Sequence, residues 1–304
     1  MSERYGKRQG PRRVLLYGIH GIGKSTWANQ PGVKFFDVED GLGDIDLHLE
    51  PIKIKSYGDF LAGVNAVIAN PTGIRAICID TCDALERLIW QHVATSAGKT
   101  HIEDFGYGKG YEFAVSKWQE VVKALTYLRE QFGISWILLG HCQAVKIKPP
   151  GMESYDQYQP DIHSSARSYL AEFCTEVLFA TYETFVKQED LGFNKTRSIA
   201  LGGTRRMIHT THTAIADAKN RLGMPDTINF DFWGTEADPG FGRFLPKPAA
   251  AKQEQPTERA PVVEESAIDK LTTTKISMDD VFAGITGHSN IDGLVRDGSS
   301  KQPA

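Results

Sequence analysis

The chain has 304 residues, of which 41% are hydrophobic and 24% are charged, and its formal net charge is −4. This composition is ordinary for a soluble globular protein, and no apolar run approaches the roughly 18 residues of a membrane-spanning helix. The negative charge argues against a protein that binds nucleic acid over its whole surface, so any such binding must use local patches.

The N-terminal segment, residues 1–12, is polar and basic and has no apolar stretch that would indicate a secretory signal. The four cysteines show no CxxC spacing and fall mostly in apolar segments, which is typical of reduced thiols. We therefore expect a cytoplasmic protein that has no contact with a membrane.

Strand and helix signals alternate over residues 13–245, which predicts an α/β core whose mostly parallel central sheet is flanked by helices. Taken in chain order, the predicted strands of the first part are 14–17, 33–38, 76–79 and 134–139. The predicted helices of this part start near Lys24 and then cover 59–69, 83–95 and 113–132.

A polar stretch without apolar periodicity, residues 143–164, follows the fourth strand and is predicted to be a long loop. After it, the pattern predicts one helix and three strands, at 166–173, 176–186, 198–201 and 207–213. Residues 246–304 are too poor in apolar groups to offset their ordering entropy, so we expect a disordered linker and tail. A short apolar island at 276–285 is either a docking peptide or part of a functionless tail.

A phosphate-binding loop is the strongest motif of the chain. The pattern G-x-x-x-x-G-K-[ST] is met by Gly18, Gly23, Lys24 and Ser25, between a predicted strand and a predicted helix. Backbone N–H groups of such a loop surround the β-phosphate, the lysine reaches the β- and γ-phosphates, and the serine hydroxyl binds Mg²⁺. The residues predicted to bind ATP are Gly18, His20, Gly21, Ile22, Gly23, Lys24, Ser25 and Thr26.

Two acidic residues at strand ends are candidates for the rest of the ATPase site. Asp80 follows a buried strand, where a second magnesium ligand is expected, although it could instead cap the next helix. Thr81 follows it where many ATPases have a glutamate, so the base that activates water must come from elsewhere. Glu39, at the end of the second strand, faces the same crevice of a parallel sheet; the alternative is an exposed loop acid.

The order of three segments, Phe35–Glu39, Ala76–Thr81 and Leu138–His141, is similar to that of RecA-like recombinase cores. The chain resembles more closely the phage ATP-binding, AAA-type proteins of the RecA/RAD superfamily that act as single-strand annealing proteins. This resemblance covers roughly residues 10–235 and extends to three later segments: Gly106–Tyr111, Tyr155–Asp161 and Ala216–Pro225.

The resemblance implies a RecA-like P-loop NTPase core that uses ATP and Mg²⁺, in the cytoplasm of a bacterial host. Glu39 would be the catalytic base, and His141 would sense the γ-phosphate unless it is a packed strand-end histidine. Lys109 would lie in a first DNA-facing loop, or in a simple flexible turn. In the stretch after the sensor strand, phosphate contacts would come from Lys146 and Lys148, and bases would stack on Tyr155 and Tyr158.

RecA-like ATPases commonly bind ATP at a subunit boundary, so the resemblance also implies a homo-oligomer. Four basic residues are candidates to complete the ATP site of a neighbouring subunit, unless they are salt-bridged surface residues. They are Arg205, Arg206, Lys219 and Arg221.

Our leading hypothesis is a DNA-stimulated ATPase that binds single-stranded DNA and promotes annealing or strand exchange. Its partners would include a single-strand-binding protein or another replication or recombination protein. One alternative is a nucleotide-dependent switch that controls a partner through the C-terminal tail. The other, a small-molecule kinase, is disfavoured because only Arg87 and Arg129 are available for a lid between Asp80 and His141.

Overall fold

The computed structural model describes residues 10–190, 196–230 and 240–244, without the side chains of 184–190, 196–202, 240 and 243. The predicted linker, tail and apolar island lie outside the described residues, as does most of the basic N-terminal segment. Those predictions therefore stay predictions.

A single mixed sheet forms the centre of the described residues. Its strands are β1 (Arg13–Gly18), β2 (Val33–Asp37), β3 (Ile52–Lys53), β4 (Ala76–Asp80), β5 (Ser135–Ile147), β6 (Tyr155–Pro160), β7 (Glu176–Asp190), β8 (Thr196–His209) and β9 (Thr227–Asn229). The strand order is β3-β2-β4-β5-β1-β7-β8-β9, and β6 pairs with β5 off this path. The run from β3 to β7 is parallel, while β6, β8 and β9 are antiparallel. The prediction of a mostly parallel α/β sheet is confirmed.

The helices of the described residues are α1 (Lys24–Ala28), α2 (Tyr57–Ala69), α3 (Cys82–Ser96), α4 (Lys109–Phe132) and α5 (Ser164–Phe173), with short 3-10 turns at Ile102–Phe105 and Gly240–Phe244. Two of these helices, α2 and α3, have side-chain N-caps. The hydroxyls of Ser56 and Thr81 accept hydrogen bonds from backbone N–H groups in their first turns. Gly133 caps the C-terminus of α4 with a φ of 68°, which suits glycine. None of these helices combines the length and apolar character that a membrane crossing requires.

The core lies on both faces of the parallel strands. Every residue of β4 is buried, and the apolar residues of β1 are fully buried. The short helix α1 is held in this core by Trp27, whose ring contacts Phe230, Phe241 and Phe244 at centroid distances of 5.4–6.1 Å. These contacts fix the helix that follows the phosphate-binding loop.

The prediction of a long loop over residues 143–164 is wrong. Strand β5 continues past His141 to Ile147, and β6 returns beside it as an antiparallel hairpin in which Lys146 lies opposite Asp156. Polar side chains occupy both faces of this hairpin, so its sequence lacks the apolar alternation that predicts a half-buried strand.

The prediction of two separate strands at 198–201 and 207–213 is also wrong. One strand, β8, covers Thr196–His209, and its pairing with β7 shifts in register between Tyr182 and Thr184. The glycine pair at 202–203 separates the two predicted segments, and it lies within the continuous strand near this irregularity.

Candidate nucleotide site

The carboxyl ends of β1, β2 and β4 meet at one edge of the sheet, beside His141 in the middle of β5. Gly18 of β1 lies opposite His141 of β5, and Asp37 of β2 lies opposite Asp80 of β4. A cavity of about 230 Å³ opens at this edge between the phosphate-binding loop and the residues that follow β2 and β4. Polar side chains from four separate segments therefore share one cavity.

Close packing and positive φ angles determine the path of the phosphate-binding loop. A side chain at Gly18 would place its Cβ 2.3 Å from the carbonyl oxygen of Ala180, and Gly23 has a φ of 95° at the N-terminus of α1. Ile22 is fully buried and anchors the loop in the core. Helix α1 has only five residues, so backbone N–H groups contribute more than a helix dipole to any phosphate binding here.

Five of the eight predicted loop residues line the cavity, namely Gly21, Gly23, Lys24, Ser25 and Thr26. The exposed His20 stacks its ring on His141 at a centroid distance of 4.2 Å. The Lys24 ammonium group donates to the carbonyl oxygens of Gly18 and Ile19, at 3.2 and 3.1 Å. Burial lowers the pKa of Lys24, and the charge of Asp80 opposes this effect.

Ser25 and Asp80 come together from two separate strand ends. The Ser25 hydroxyl donates to Asp80 Oδ2 at 2.6 Å. Asp80 is 7% exposed, and its burial raises its pKa to about 6, against the hydrogen bond from Ser25, which lowers it. A hydroxyl and a carboxylate are oxygen ligands that suit Mg²⁺, so the chemistry of this pair fits the metal expected from the sequence.

Glu39 lies on the far side of the same cavity. Its Oε1 accepts a hydrogen bond from the Thr81 hydroxyl at 2.8 Å. The same oxygen is 3.7 Å from an Arg87 nitrogen and 3.8 Å from Nδ1 of His141. A carboxylate with one hydrogen bond and about one third of its side chain exposed can still accept a proton from water.

His141 is oriented by Asp83, near the start of α3. The two carboxylate oxygens of Asp83 are 3.1 Å from the backbone nitrogen and 3.0 Å from Nδ1 of His141. Burial favours the neutral form of Asp83, but these hydrogen bonds outweigh it and lower its pKa to about 2. The same hydrogen bond raises the pKa of His141, so the imidazole takes up a proton more readily than usual.

Glu39, Asp83 and His141 also place possible metal-binding atoms within 4.8 Å of one another. Hydrogen bonds within the chain already account for this proximity, since His141 is bound to Asp83 and Glu39 is bound to Thr81. We therefore retain Ser25 and Asp80 as the candidate magnesium ligands.

Sequence reasoning missed three residues that organise the site. Thr81 caps α3 and holds Glu39, Asp83 orients His141, and Arg87 lies between Glu39 and Asp83. Asp83 and Arg87 are four residues apart, on the same face of a predicted helix that begins just after Asp80. That spacing was the sequence signal that Asp83 and Arg87 lie next to each other. Their proximity to His141 follows only from the register of the sheet.

The residues predicted to contact DNA do not form one surface. Lys146 and Tyr158 lie on the same face of the β5–β6 hairpin, whereas Tyr155 faces the opposite side because strand residues alternate. One face of the Tyr158 ring is covered by Phe179, at a centroid distance of 5.1 Å. Base stacking on Tyr155 and Tyr158 therefore stays a prediction, and it would use opposite faces of the hairpin. Lys148 is exposed beyond the end of β5.

Lys109 is the exposed first residue of α4, so it lies at a helix start and not in a loop, and its contact with DNA stays a prediction. The turn before it carries Tyr107, which is fully exposed. Two residues after Lys109, the ring of Tyr111 stacks on His163 at 4.1 Å, so the start of α4 lies next to the segment that follows the hairpin.

The four candidates for action in trans differ in their surroundings. The Lys219 ammonium donates to the backbone oxygens of Ala171 and Glu172 at the end of α5, which argues against a role in another subunit. Arg205 donates to Asn229 at 2.6 Å, and Arg206 lies over the ring of Tyr182. Arg221 is exposed.

A family model described as an AAA domain matches residues 10–222 of the chain, which include the phosphate-binding loop, Glu39, Asp80 and His141. No curated protein matches the chain.

We expect replacement of Asp80 by asparagine to change how folding stability depends on pH. The raised pKa means that the folded state holds the proton more tightly than the unfolded state, so the wild type loses stability as the pH rises from about 4 to about 6. Asparagine does not titrate, so the variant should gain on the order of 3 kcal/mol relative to wild type between pH 4 and pH 8.

The measurement is denaturant unfolding of both proteins at the two pH values, in a chelator and without nucleotide. Asp44→Asn, in an exposed loop, controls for the loss of one negative charge. An equal stability difference between wild type and Asp80→Asn at both pH values would contradict the burial of this charge.

Proposed function

The chain belongs to the AAA domain family, and we propose that it is a magnesium-dependent ATPase that binds single-stranded DNA and promotes annealing or strand exchange. Nucleotide binding is the activity that the family and the loop share. The dependence on magnesium, the DNA substrate and the recombination role are our inferences.

One observation carries the proposal of metal-dependent hydrolysis. Ser25, from the phosphate-binding loop, and Asp80, from the end of β4, are 2.6 Å apart at the wall of one cavity. The Ser25 hydroxyl and the Asp80 carboxylate would hold a magnesium ion there, which would supply positive charge next to the phosphates.

The surrounding side chains have complementary roles in this proposal. Lys24, now bound to two loop carbonyls, would exchange them for phosphate oxygens, which are stronger acceptors for an ammonium group. Glu39 would accept the proton of the attacking water. Because Nδ1 of His141 is held by Asp83, Nε2 is the ring nitrogen left for the γ-phosphate.

Support for a DNA substrate comes from the resemblance to single-strand annealing proteins and from the hairpin. Strand β5 runs without interruption from His141, at the nucleotide cavity, to the exposed Lys146, and Lys148 follows directly. DNA phosphates bound by these lysines would lie at the end of a rigid element that begins in the ATP site.

We also propose that the protein acts as a homo-oligomer in the cytoplasm of a bacterial host, together with a single-strand-binding protein or another recombination partner. Arg205, Arg206 and Arg221 are the candidates to complete the ATP site of a neighbouring subunit.

Replacement of Glu39 by glutamine should leave ATP binding intact and slow hydrolysis by about 10²–10⁴-fold, because the amide cannot accept the proton. ATP affinity by calorimetry and turnover by phosphate release measure the two effects. Glu50→Gln, in the exposed loop before β3, is the matched control and should hydrolyse ATP as the wild type does. Normal hydrolysis by Glu39→Gln would mean that another group is the base.

Single-stranded oligonucleotides should stimulate ATP turnover, and Lys146→Ala with Lys148→Ala should weaken their binding. Loss of two phosphate contacts lowers the slope of log K against log salt by about 1.4 for a single strand. A double variant of two exposed lysines elsewhere, Lys55→Ala with Lys123→Ala, is the control and should keep the wild-type slope. If oligonucleotides neither stimulate ATP turnover nor bind at low salt, the DNA hypothesis is wrong, while the ATPase proposal is unaffected.

A further inference from the structure

The first turn of α3 packs closely against β5 next to the nucleotide cavity. A side chain at Gly140 would place its Cβ 2.9 Å from Sγ of Cys82, so the glycine permits this close approach. Asp83, in the same turn of α3, is only 3% exposed. His141, which follows Gly140, lines the nucleotide cavity. The fold therefore places a buried carboxylate beside a histidine of the proposed ATP site.

Asp83 binds His141 through both of its carboxylate oxygens. Oδ1 accepts from the backbone N–H at 3.1 Å, and Oδ2 is 3.0 Å from Nδ1 of the ring. Burial opposes the charge of Asp83, but the hydrogen bonds from His141 outweigh it and lower the pKa to about 2. An ionised carboxylate only accepts hydrogen bonds, so Nδ1 of His141 must carry a hydrogen.

This hydrogen bond restricts the chemistry of the other ring nitrogen, Nε2. A neutral imidazole carries a hydrogen on one nitrogen only, so a neutral His141 with its hydrogen on Nδ1 has a lone pair on Nε2. That lone pair would face the oxygen of a γ-phosphate, which is also an acceptor. His141 can donate from Nε2 to a phosphate only when both nitrogens are protonated, as an imidazolium ion.

The charges closest to His141 favour this second proton. The hydrogen bond to Asp83 raises the pKa of His141, against burial of the ring and the positive charge of Lys24. Oε1 of Glu39 lies 3.8 Å from Nδ1 and adds a further negative charge. The site therefore stabilises the imidazolium form before any nucleotide is present.

Three more residues with ionisable side chains pack around His141. The ring of His20 stacks on it at 4.2 Å, and the backbone N–H of Asp161 donates to its carbonyl oxygen at 2.9 Å. Arg87 lies 3.4 Å from Oδ2 of Asp83 and shares the negative charge of that carboxylate. Within the part of the chain that the structure describes, no hydrogen bond uses Nε2 of His141, so this nitrogen is available to a ligand.

We propose that Asp83 is a positioning residue that presents His141 to the γ-phosphate as an imidazolium ion, so that recognition of ATP depends on pH. The inference rests on the proposed ATPase function and adds to it a positive charge supplied within the chain. ADP has no γ-phosphate, so this charge should favour ATP over ADP. The preference should fall as the pH rises and His141 loses its second proton.

The first experiment follows the protonation of His141 in the nucleotide-free, full-length protein in a chelator. The NMR signal of the ring carbon between the two nitrogens reports the charge, and His141→Gln assigns it. We expect His141 of the wild type to stay protonated to a higher pH than an ordinary histidine, and Asp83→Asn to lower that pH. Asp156→Asn, exposed on β6, controls for the loss of one charge and should leave the titration unchanged.

Asparagine suits this test because it can keep the shape of the contact. Its oxygen can accept from the backbone N–H of His141, and its amide can donate to Nδ1 of a neutral ring. The hydrogen of that neutral ring then lies on Nε2, where it can still meet a phosphate. Asp83→Asn therefore removes the charge of His141 and retains a hydrogen-bond donor.

The second experiment compares the affinities for a non-hydrolysable ATP analogue and for ADP, with saturating magnesium, by calorimetry above about pH 6. In the wild type and Asp156→Asn, the preference for the analogue should fall about tenfold across the titration of His141, near the lower end for a charged hydrogen bond. In Asp83→Asn it should be nearly constant above neutral pH, and in His141→Gln it should be constant throughout. Equal affinity for ADP shows that each variant is folded.

Two results would overturn the proposal and leave the ATPase function intact. If Asp83→Asn titrates as the wild type does, Asp83 does not set the charge of His141. If His141→Gln shows the same pH-dependent preference as the wild type, the charge of His141 does not act on the γ-phosphate, and this comparison decides even if Asp83→Asn does not fold. Failure of the wild type to bind either nucleotide would reject the proposed ATPase function as well.

Discussion

The parallel register of β1, β4 and β5 places the groups of the nucleotide site next to one another. It aligns Gly18 with His141 and Asp80 with Leu139, so the phosphate-binding loop, the strand-end aspartate and the histidine emerge at one edge. A slip of one residue in a strand would turn its side chains to the opposite face. The hydrogen bond between Ser25 and Asp80, and the enclosure of the cavity, both follow from this register.

The same register places ionisable side chains in environments that disfavour their charged forms. Burial lowers the pKa of Lys24 and raises that of Asp80, so the free protein holds both in environments that oppose their charges. The negative charge of Asp83 is stabilised within the chain, because the backbone N–H and the ring of His141 both donate hydrogen bonds to its carboxylate. A site that keeps uncompensated charge is destabilising by itself and is stabilised when a metal and phosphates supply the missing partners.

The sequence was sufficient for the elements with strong local signals. The glycine-lysine-serine loop, the apolar run of β4 and the amphipathic stripe of α4 predicted the strand-loop-helix core. The structure brings the candidates for phosphate and metal binding to one cavity. The sequence was insufficient for the β5–β6 hairpin, because polar residues on both faces remove the apolar alternation that indicates a strand. It was also insufficient for β8, where two adjacent glycines resemble the end of a strand. It also missed the role of Asp83, because the contact of Asp83 with His141 depends on how α3 packs against β5.

In the proposed mechanism, Ser25 and Asp80 hold a single magnesium ion at a bound triphosphate. The position of the ion can be determined from a crystal structure with Mn²⁺ in place of Mg²⁺ and a non-hydrolysable ATP analogue, since the anomalous signal of manganese locates it. We expect one peak within bonding distance of the Ser25 hydroxyl, with the Asp80 carboxylate next to it directly or through one water. A peak held instead by Glu39, Asp83 and His141, or no ion between Ser25 and Asp80, would contradict the account.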